Sequence, residues 1–489
     1  MRLQPCFGTC IPTCLGAAWS ARPPGSRVLQ AAPSGKRATA EILSASALGN
    51  PVRRLVESLM RGWDVKMAAV PTDAGAWFLT VRSDRRVLIM APTMTSVKRL
   101  LDIAGVFAGD LRVRTLFTVP PDVLGWGTEA MLGELGVTLV PWREAVAGRY
   151  DLAITVNYGG IAEVDAPLAL FSHGASRNKQ VKPHGRGAFA VPAPVQGFNR
   201  SSLIQNGMLV PSAIAVGHEH ELAMLAADCP EALPVARVVG DPCYDRLVAG
   251  RPQRAHFRRA LGLEPHQTLV VVTSTWTGSS LLGSAAYQLE RLVEQLPAPK
   301  FRIVLLIHPN AVAAHGAYQL RAWWGHLAAK GLIMTRPEHD WEPLLLAADY
   351  IIGDHGSVTL YGATVGVPIL VGAYNEADVH HRSGAAALAA LAPRLVGSAP
   401  VPEQLAHADA QFDATAMANV ASLISSEPGG FARHTRSLLY GMLGLGQPAT
   451  PARLADAAEL PPLWQLARDT SRTAWTGGTN GYDLAVEAA

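Results

Sequence analysis

Cysteine is scarce in this 489-residue chain: Cys6, Cys10 and Cys14 crowd the start, and Cys229 and Cys243 lie far from them. The C-x3-C-x3-C run lacks the C-x2-C spacing of a zinc or redox site, so neither a metal ribbon nor a disulfide framework is expected, and the usage fits a reducing, cytoplasmic context. Apolar runs of ~20 residues are also missing, because Gly, Pro and charged residues interrupt each one, which argues against a membrane-spanning helix. Net charge is nearly absent. Forty-two basic and thirty-nine acidic residues leave +3, too little for nucleic-acid binding by bulk charge, although a local anion site stays open. No Asp-x-Asp pair and no His/Cys cluster at ligand spacing is found, so no bound metal is expected. The Walker A lysine is missing, and so is a G-x-G-x-x-G loop.

What is present is enough apolar material for two cores. Hydrophobic residues make up 49% and charged ones 17%, and the length exceeds the ~250–300 residues at which one core stops growing. The first residues, one Arg followed by an apolar run, superficially resemble a secretory leader; two prolines and two glycines make a disordered extension the better reading. Residues 1–50 are therefore expected to be an extension, with folded structure from near Pro51. A first domain is expected over 51–240, a second over 241–445 and a loosely packed tail over 446–489.

Nearly continuous apolar runs predict strands covered on both faces: 86–92, 112–119, 137–142, 151–156, 167–173, 212–217 and 235–240. Helical periods fall between them. One is TSVKRLLDIAGVFAG, for which Thr95 or Ser96 is the expected cap. The pattern repeats with runs at 268–274, 301–308, 332–335, 350–354 and 368–372, interleaved with helices. Strand, helix, strand repeated in this way gives an α/β protein of two Rossmann-like, doubly wound domains facing a cleft. The hinge is expected near 238–265, and helical structure beyond about 397.

Ligands of doubly wound sheets bind outside the carboxyl ends of the strands, so the residues after each run are candidate site residues. His173 and Gly174 follow one, with Arg177, Lys179, Lys182, His184 and Arg186 in the loop behind; a solvated basic loop is the plain alternative. The histidine suits general base chemistry, and a glycine lets backbone approach a ligand. Gly240-Asp241-Pro242 reads first as a turn, and places Asp241 on a cleft wall. The small hydroxylated loop after 268–274 offers Ser274, Thr275, Gly278 and Ser279 to a diphosphate. His308, Pro309 and Asn310 end another strand. The most specific stretch is ADYIIGDHGSVTLYGATVGVPILVG, where Asp354 and His355 close a strand and Gly356, Ser357 and Val358 open a helix whose unpaired amides can receive phosphate. The competing role for Asp354 or Ser357 is that of a helix cap.

His-Gly after a late first-domain strand, G-x-P-x-x-D between domains, His-Pro after a second-domain strand and Asp-x-x-Ser before a helix and G-x-P span residues 173 to 368. In this order they resemble the teichoic-acid glycerophosphotransferases that use CDP-glycerol, and more distantly the UDP-N-acetylglucosamine 2-epimerases. Both have the GT-B fold. The resemblance implies that His173 is the base for an acceptor hydroxyl, that His308 contacts the donor phosphate, and that Ser357 and its amides hold the diphosphate. Asp354 joins the two histidines as a catalytic candidate. The implied activity is metal-independent transfer of a glycerophosphate or glycosyl group from a nucleotide-diphosphate donor, which is substrate and not cofactor, to a polyol or sugar hydroxyl. Partners would be small molecules rather than nucleic acid, with peripheral membrane contact allowed for. An epimerase of the same fold and a non-catalytic binding protein are the alternatives. Two departures stand out: Leu360 and Tyr361 lie where such enzymes carry an acid for ribose, and Ser172 stands where a tryptophan often precedes His-Gly.

Overall fold

The computed structural model describes residues 79–175, 177–180, 195–197 and 199–471. The extension, the start near Pro51, Cys6, Cys10, Cys14, Lys182, His184, Arg186 and the end of the tail lie outside the described residues.

Eleven of the twelve apolar runs become strands of two parallel sheets. The first half contributes β1 (Arg85–Met90), β2 (Val113–Thr118), β3 (Leu152–Thr155) and β4 (Leu168–Leu170), then a small antiparallel hairpin of β5 (Ile204–Gln205) and β6 (Met208–Leu209), then β7 (Ala213–Val216) and β8 (Ala236–Val238). The sheet order is β2-β1-β3-β4-β7-β8, all parallel. The second half contributes β9 (Thr268–Ser274), β10 (Phe301–Ile307), β11 (Leu332–Met334), β12 (Tyr350–Gly353) and β13 (Ile369–Val371), in the order β11-β10-β9-β12-β13. Central strands such as β3 and β7 are buried along their whole length. Unbroken apolar sequence is what a strand with helices on both faces requires.

Each sheet reverses direction once. In the first the reversal lies between β1 and β3, and in the second between β9 and β12. Crevices outside the carboxyl ends of such strands are where doubly wound folds bind ligands.

Several expectations are corrected. Residues 137–142 form no strand: Leu139 makes one isolated bridge to Phe117, and Pro141, with no N–H to donate, opens the helix Trp142–Ala147 instead. The helix Met94–Ala104 is capped by Thr93, whose hydroxyl accepts from the Ser96 amide, and not by Thr95 or Ser96. The helix Phe431–Leu443 packs into the first half's core through Phe431, Leu439, Tyr440 and Leu443, although its position in sequence puts it with the second domain. It is fixed there by Arg436 Nε donating to the Val106 carbonyl at 3.1 Å and Tyr440 donating to Asp110 at 2.8 Å. Leu460, Leu463 and Leu466 are likewise buried in a second-half core, so this part of the expected tail is docked.

The chain thus crosses between halves at 239–241, near 424–427, and again between Leu454 and Leu460, the first two crossings being neighbours. Gly240 has φ +86°, and a Cβ there would sit 3.1 Å from the Glu427 carbonyl, so glycine serves both the left-handed turn and the close approach. Among the described residues no helix is long and apolar enough to cross a membrane.

Candidate active site

The second sheet's reversal is held by one carboxylate. Asp354 follows β12 and is 2% exposed. Its Oδ2 accepts from the amides of Thr275 and Leu281 at 2.9 Å each, with the Ser274 hydroxyl at 3.3 Å; its Oδ1 accepts from the Gly356 amide at 2.9 Å. Asp354 therefore ties the loop after β9 to the turn after β12. The same bonds engage three groups expected to face a diphosphate: the Ser274 hydroxyl, which also accepts from the Leu282 amide at 3.0 Å, and the amides of Thr275 and Gly356. The amides of Ser357 and Val358 have no partner among the described residues, because the first turn of a helix offers them none. Behind this turn Gly353 fits between Thr273 and Thr359, whose hydroxyls are 2.7 Å apart.

Opposite lies the loop after β4. A Cβ on Gly174 would come within 2.6 Å of Ser357 Oγ, so the backbone beside His173 rests directly on the helix start of the other half. The loop that carries His173 and the helix start at Ser357 therefore meet. His173 is exposed. Desolvation, reinforced by Lys179, Arg177 and Arg99, lowers its pKa to about 4, against a hydrogen bond to the Val156 backbone that favours the charged form. The ring is neutral at pH 7. The nitrogen not bonded to Val156 is then a lone-pair acceptor.

His308 ends β10 and caps the helix Pro309–His315, its Nδ1 accepting from the Asn310 amide at 3.0 Å. Desolvation, Lys179 and His173 lower it to about 3. A neutral ring whose Nδ1 accepts carries its proton on Nε2, which makes it a hydrogen-bond donor to a ligand. Pro309 contributes the helix's first residue, where no N–H is needed.

Lys179 completes the groove. Its segment crosses from the first half and bridges antiparallel to Val379; the Gln180 amide donates to the Asp378 carbonyl at 3.1 Å and the His380 amide to the Asn178 carbonyl at 2.8 Å. The ammonium lies 5.5 Å from the centre of the Trp276 ring, which is exposed. Ser279 donates to Asp378 on the same wall, and Gly278 is open to solvent.

Three candidates turn away from the groove. Arg177 is 7% exposed, with Nε 3.8 Å from Glu221 and Nη1 donating to the Tyr158 hydroxyl. Asp241 is buried at the crossover. It caps the helix Pro242–Gly250 through the Tyr244 amide and accepts at Oδ2 from Arg99 Nη2 at 2.9 Å and from the Tyr361 hydroxyl at 2.8 Å. Burial alone would lower Arg99, and Asp241 outweighs it, holding the guanidinium well above its ordinary value. His355 is buried. Tyr361 fills the place of the expected ribose acid as a structural residue: it stacks on Trp341 at 5.0 Å and accepts from Arg99 at 2.7 Å.

Arg99, Glu221, Trp276 and Asp378 were not among the sequence candidates. Asp378 was within reach of the strand-end rule, since it follows β13. Arg99 and Glu221 sit inside helical periods, where a lone charge reads as a solvated face.

No known protein family matches the chain, and no curated protein is similar to it in sequence. Solved structures do match. A variant of the wall teichoic acid polymerase TagF soaked with CDPG aligns over 81% of this chain and 96% of its own, at TM-score 0.52 and 12% identity. The unsubstituted polymerase aligns over 81% and 97%, at 0.50 and 13%. The fold is GT-B. A UDP-GlcNAc 2-epimerase from Neisseria meningitidis, bound to UDP-GlcNAc, aligns over 73% and 99% at TM-score 0.43 and 12% identity. In this GT-B chain the groove between His173 and Ser357 lies between the two parallel sheets, outside the carboxyl ends of β4 and β12.

Proposed function

We propose that the chain is a transferase that moves a glycerophosphate or glycosyl group from a nucleotide-diphosphate donor to a hydroxyl acceptor, without a metal ion. One observation supports the reading: Gly174 rests on Ser357, which brings the loop of His173 to the helix start whose Ser357 and Val358 amides are open. The donor's phosphates lie against the Ser357 and Val358 amides, the Ser357 hydroxyl, His308 Nε2–H and the Lys179 ammonium. As the bond to the leaving phosphate oxygen breaks, charge grows on that oxygen, and these fixed donors stabilise it in place of a divalent ion. The acceptor oxygen forms the new bond and passes its proton to the unprotonated nitrogen of His173. The helix beginning at Ser357 has six residues, so individual amides, rather than a long macrodipole, supply the anion affinity.

His173 gains from the donor. With a pKa of about 4 it is a weak base in the free protein, and three cations contribute to that. Phosphate charge in the groove offsets those cations and raises the ring toward neutrality, where proton transfer is efficient. Asp354 acts as a positioning residue. The polymerase related in fold was soaked with CDPG and the epimerase holds UDP-GlcNAc, which makes CDP and UDP conjugates the first donors to try.

The buried Tyr361 favours a second reading, a GT-B binding protein without turnover, because no acid stands ready for ribose hydroxyls. The test is a thermal-shift screen of CDP, UDP and their glycerol and sugar conjugates, followed by product analysis with His173→Ala. A donor-dependent rise in melting temperature with His173-dependent release of nucleotide supports transfer. A rise without release in the native chain supports the second reading, and no rise with any nucleotide removes both.

A further inference from the structure

Behind Gly174, away from Ser357, the carboxyl ends of β4, β7 and β8 enclose a small pocket. Its walls include Ser172, Gly217 and Gly240, and three charged residues line it: Arg99, Asp241 and Glu221. Gly217 and Gly240 let the 424–427 segment pack close behind these strand ends: a Cβ would sit 2.7 Å from the Ile424 carbonyl or 3.1 Å from the Glu427 carbonyl.

Glu221, in the first turn of the helix His220–Asp228, is 0% exposed. Neither carboxylate oxygen has a hydrogen-bond partner in good geometry among the described residues; the nearest ion partner, Arg177 Nε, stands at 3.8 Å. Burial pushes its pKa up to about 7, against Arg177 and the nearby Gly217 and His218 amides. A carboxylate buried without donors is costly and is satisfied by any donor that enters.

The local charges identify that donor. Two guanidiniums, Arg99 and Arg177, balance two carboxylates, Asp241 and Glu221, so neither an anion nor a cation is favoured. The space accepts one water-sized group, which excludes phosphate, a ring or an apolar side chain. We infer that this pocket is an acceptor subsite in which Glu221 receives a terminal hydroxyl of an uncharged polyol or sugar, placing a neighbouring hydroxyl beside His173. The inference rests on the transferase reading, and it names Glu221 as a specificity-determining residue.

The test uses the full chain with glycerol as the probe, in saturation-transfer NMR at about pH 8, above the ordinary carboxylate range and the raised value alike. Glycerol is expected to bind the native chain, and Glu221→Gln, which keeps the shape and removes the charge, is expected to weaken it at least about tenfold. The melting temperature and the CDP-induced shift are expected to stay as in the native chain. Ala215→Val adds bulk at a lining position on β7, and decides the matter if Glu221→Gln does not fold; it is expected to abolish the signal. Equal glycerol binding by native and variant chains, or none by the native chain, overturns the inference. Loss of the CDP shift in the native chain strikes the transferase reading instead, so the two failures are told apart.

Discussion

Replacing Asp354 by asparagine separates a carboxylate that holds the switch point from one that acts on ligand. The native side chain takes the Thr275 and Leu281 amides at Oδ2 and the Gly356 amide at Oδ1, all at 2.9 Å. Asparagine has one carbonyl oxygen. Set at the Oδ2 position it keeps two amides but turns its NH2 against the Gly356 N–H, donor facing donor; the opposite orientation loses two. The better orientation forfeits one charge-assisted bond, worth roughly 1.5–3 kcal/mol, and leaves the half-buried Gly356 amide facing a donor, so a loss of about 2–3 kcal/mol is expected. Denaturant unfolding should show a lower midpoint with an unchanged slope if the folded and unfolded surfaces are otherwise alike. Nucleotide affinity should fall as well, since the Ser357 turn loosens. A variant within about 0.5 kcal/mol of the native chain that nevertheless loses turnover would refute the positioning role and return Asp354 to the chemistry.

His173→Ala should reduce turnover by roughly 10²–10⁴ with the fold intact. Because the free ring titrates near 4, the base form dominates above that value: kcat/KM should hold down to about pH 5 and fall below, and a fall centred near 6.5 would contradict the lowered pKa. The same ring binds a proton in the unfolded chain at about 6.5 but resists it when folded, so its stability contribution is lost as pH drops from 6.5 toward 4. Gly174→Ala should weaken nucleotide binding by forcing the two loops apart, and adding Ser357→Gly should relieve the clash; a single variant that binds as tightly as the native chain would show that the contact does not set the groove. Tyr361→Phe removes the hydroxyl shared by Arg99 and Asp241 and keeps the stack on Trp341, for a loss of about 1–2 kcal/mol without change in nucleotide affinity. A tenfold affinity loss at unchanged stability would place the phenol in the site instead.

The strands were legible because β-strands covered on both faces require unbroken apolar sequence, and 268–274 matches its predicted limits. Residues 137–142 failed because the same composition serves a half-exposed edge, where Pro141 decides. The positions of His173, His308 and Ser357 next to strand ends were legible from the apolar runs before them. The contact of Gly174 with Ser357 was not, since it depends on how two separately readable halves meet. The helix Phe431–Leu443 shows the same limit: its apolar stripe announces a buried face without saying which sheet buries it. Arg99 and Asp241 illustrate it for charge. Each looks like solvated polarity until its partner, distant in sequence, is placed beside it.

Charged contacts between the halves concentrate on one helix, Met94–Ala104. Lys98 meets Asp340 at 3.2 Å, Arg99 meets Asp241, and Asp102 meets Arg246, which also holds Glu342 at 2.8 Å. Buried ion pairs recover little more than their desolvation cost, yet removing one partner is expensive. Such a seam fixes the relative register of the halves while leaving little free energy against opening. The groove between them carries Lys179 on one wall, beside two histidines whose lowered pKa keeps them neutral at pH 7. A ligand bringing negative charge therefore gains most where both walls reach it at once. The apolar packing of Phe431–Leu443 on the first sheet holds the second crossing in place, so the adaptable part of the seam lies at the ion pairs and the Asn178–Gln180 pairing, next to the reacting groups.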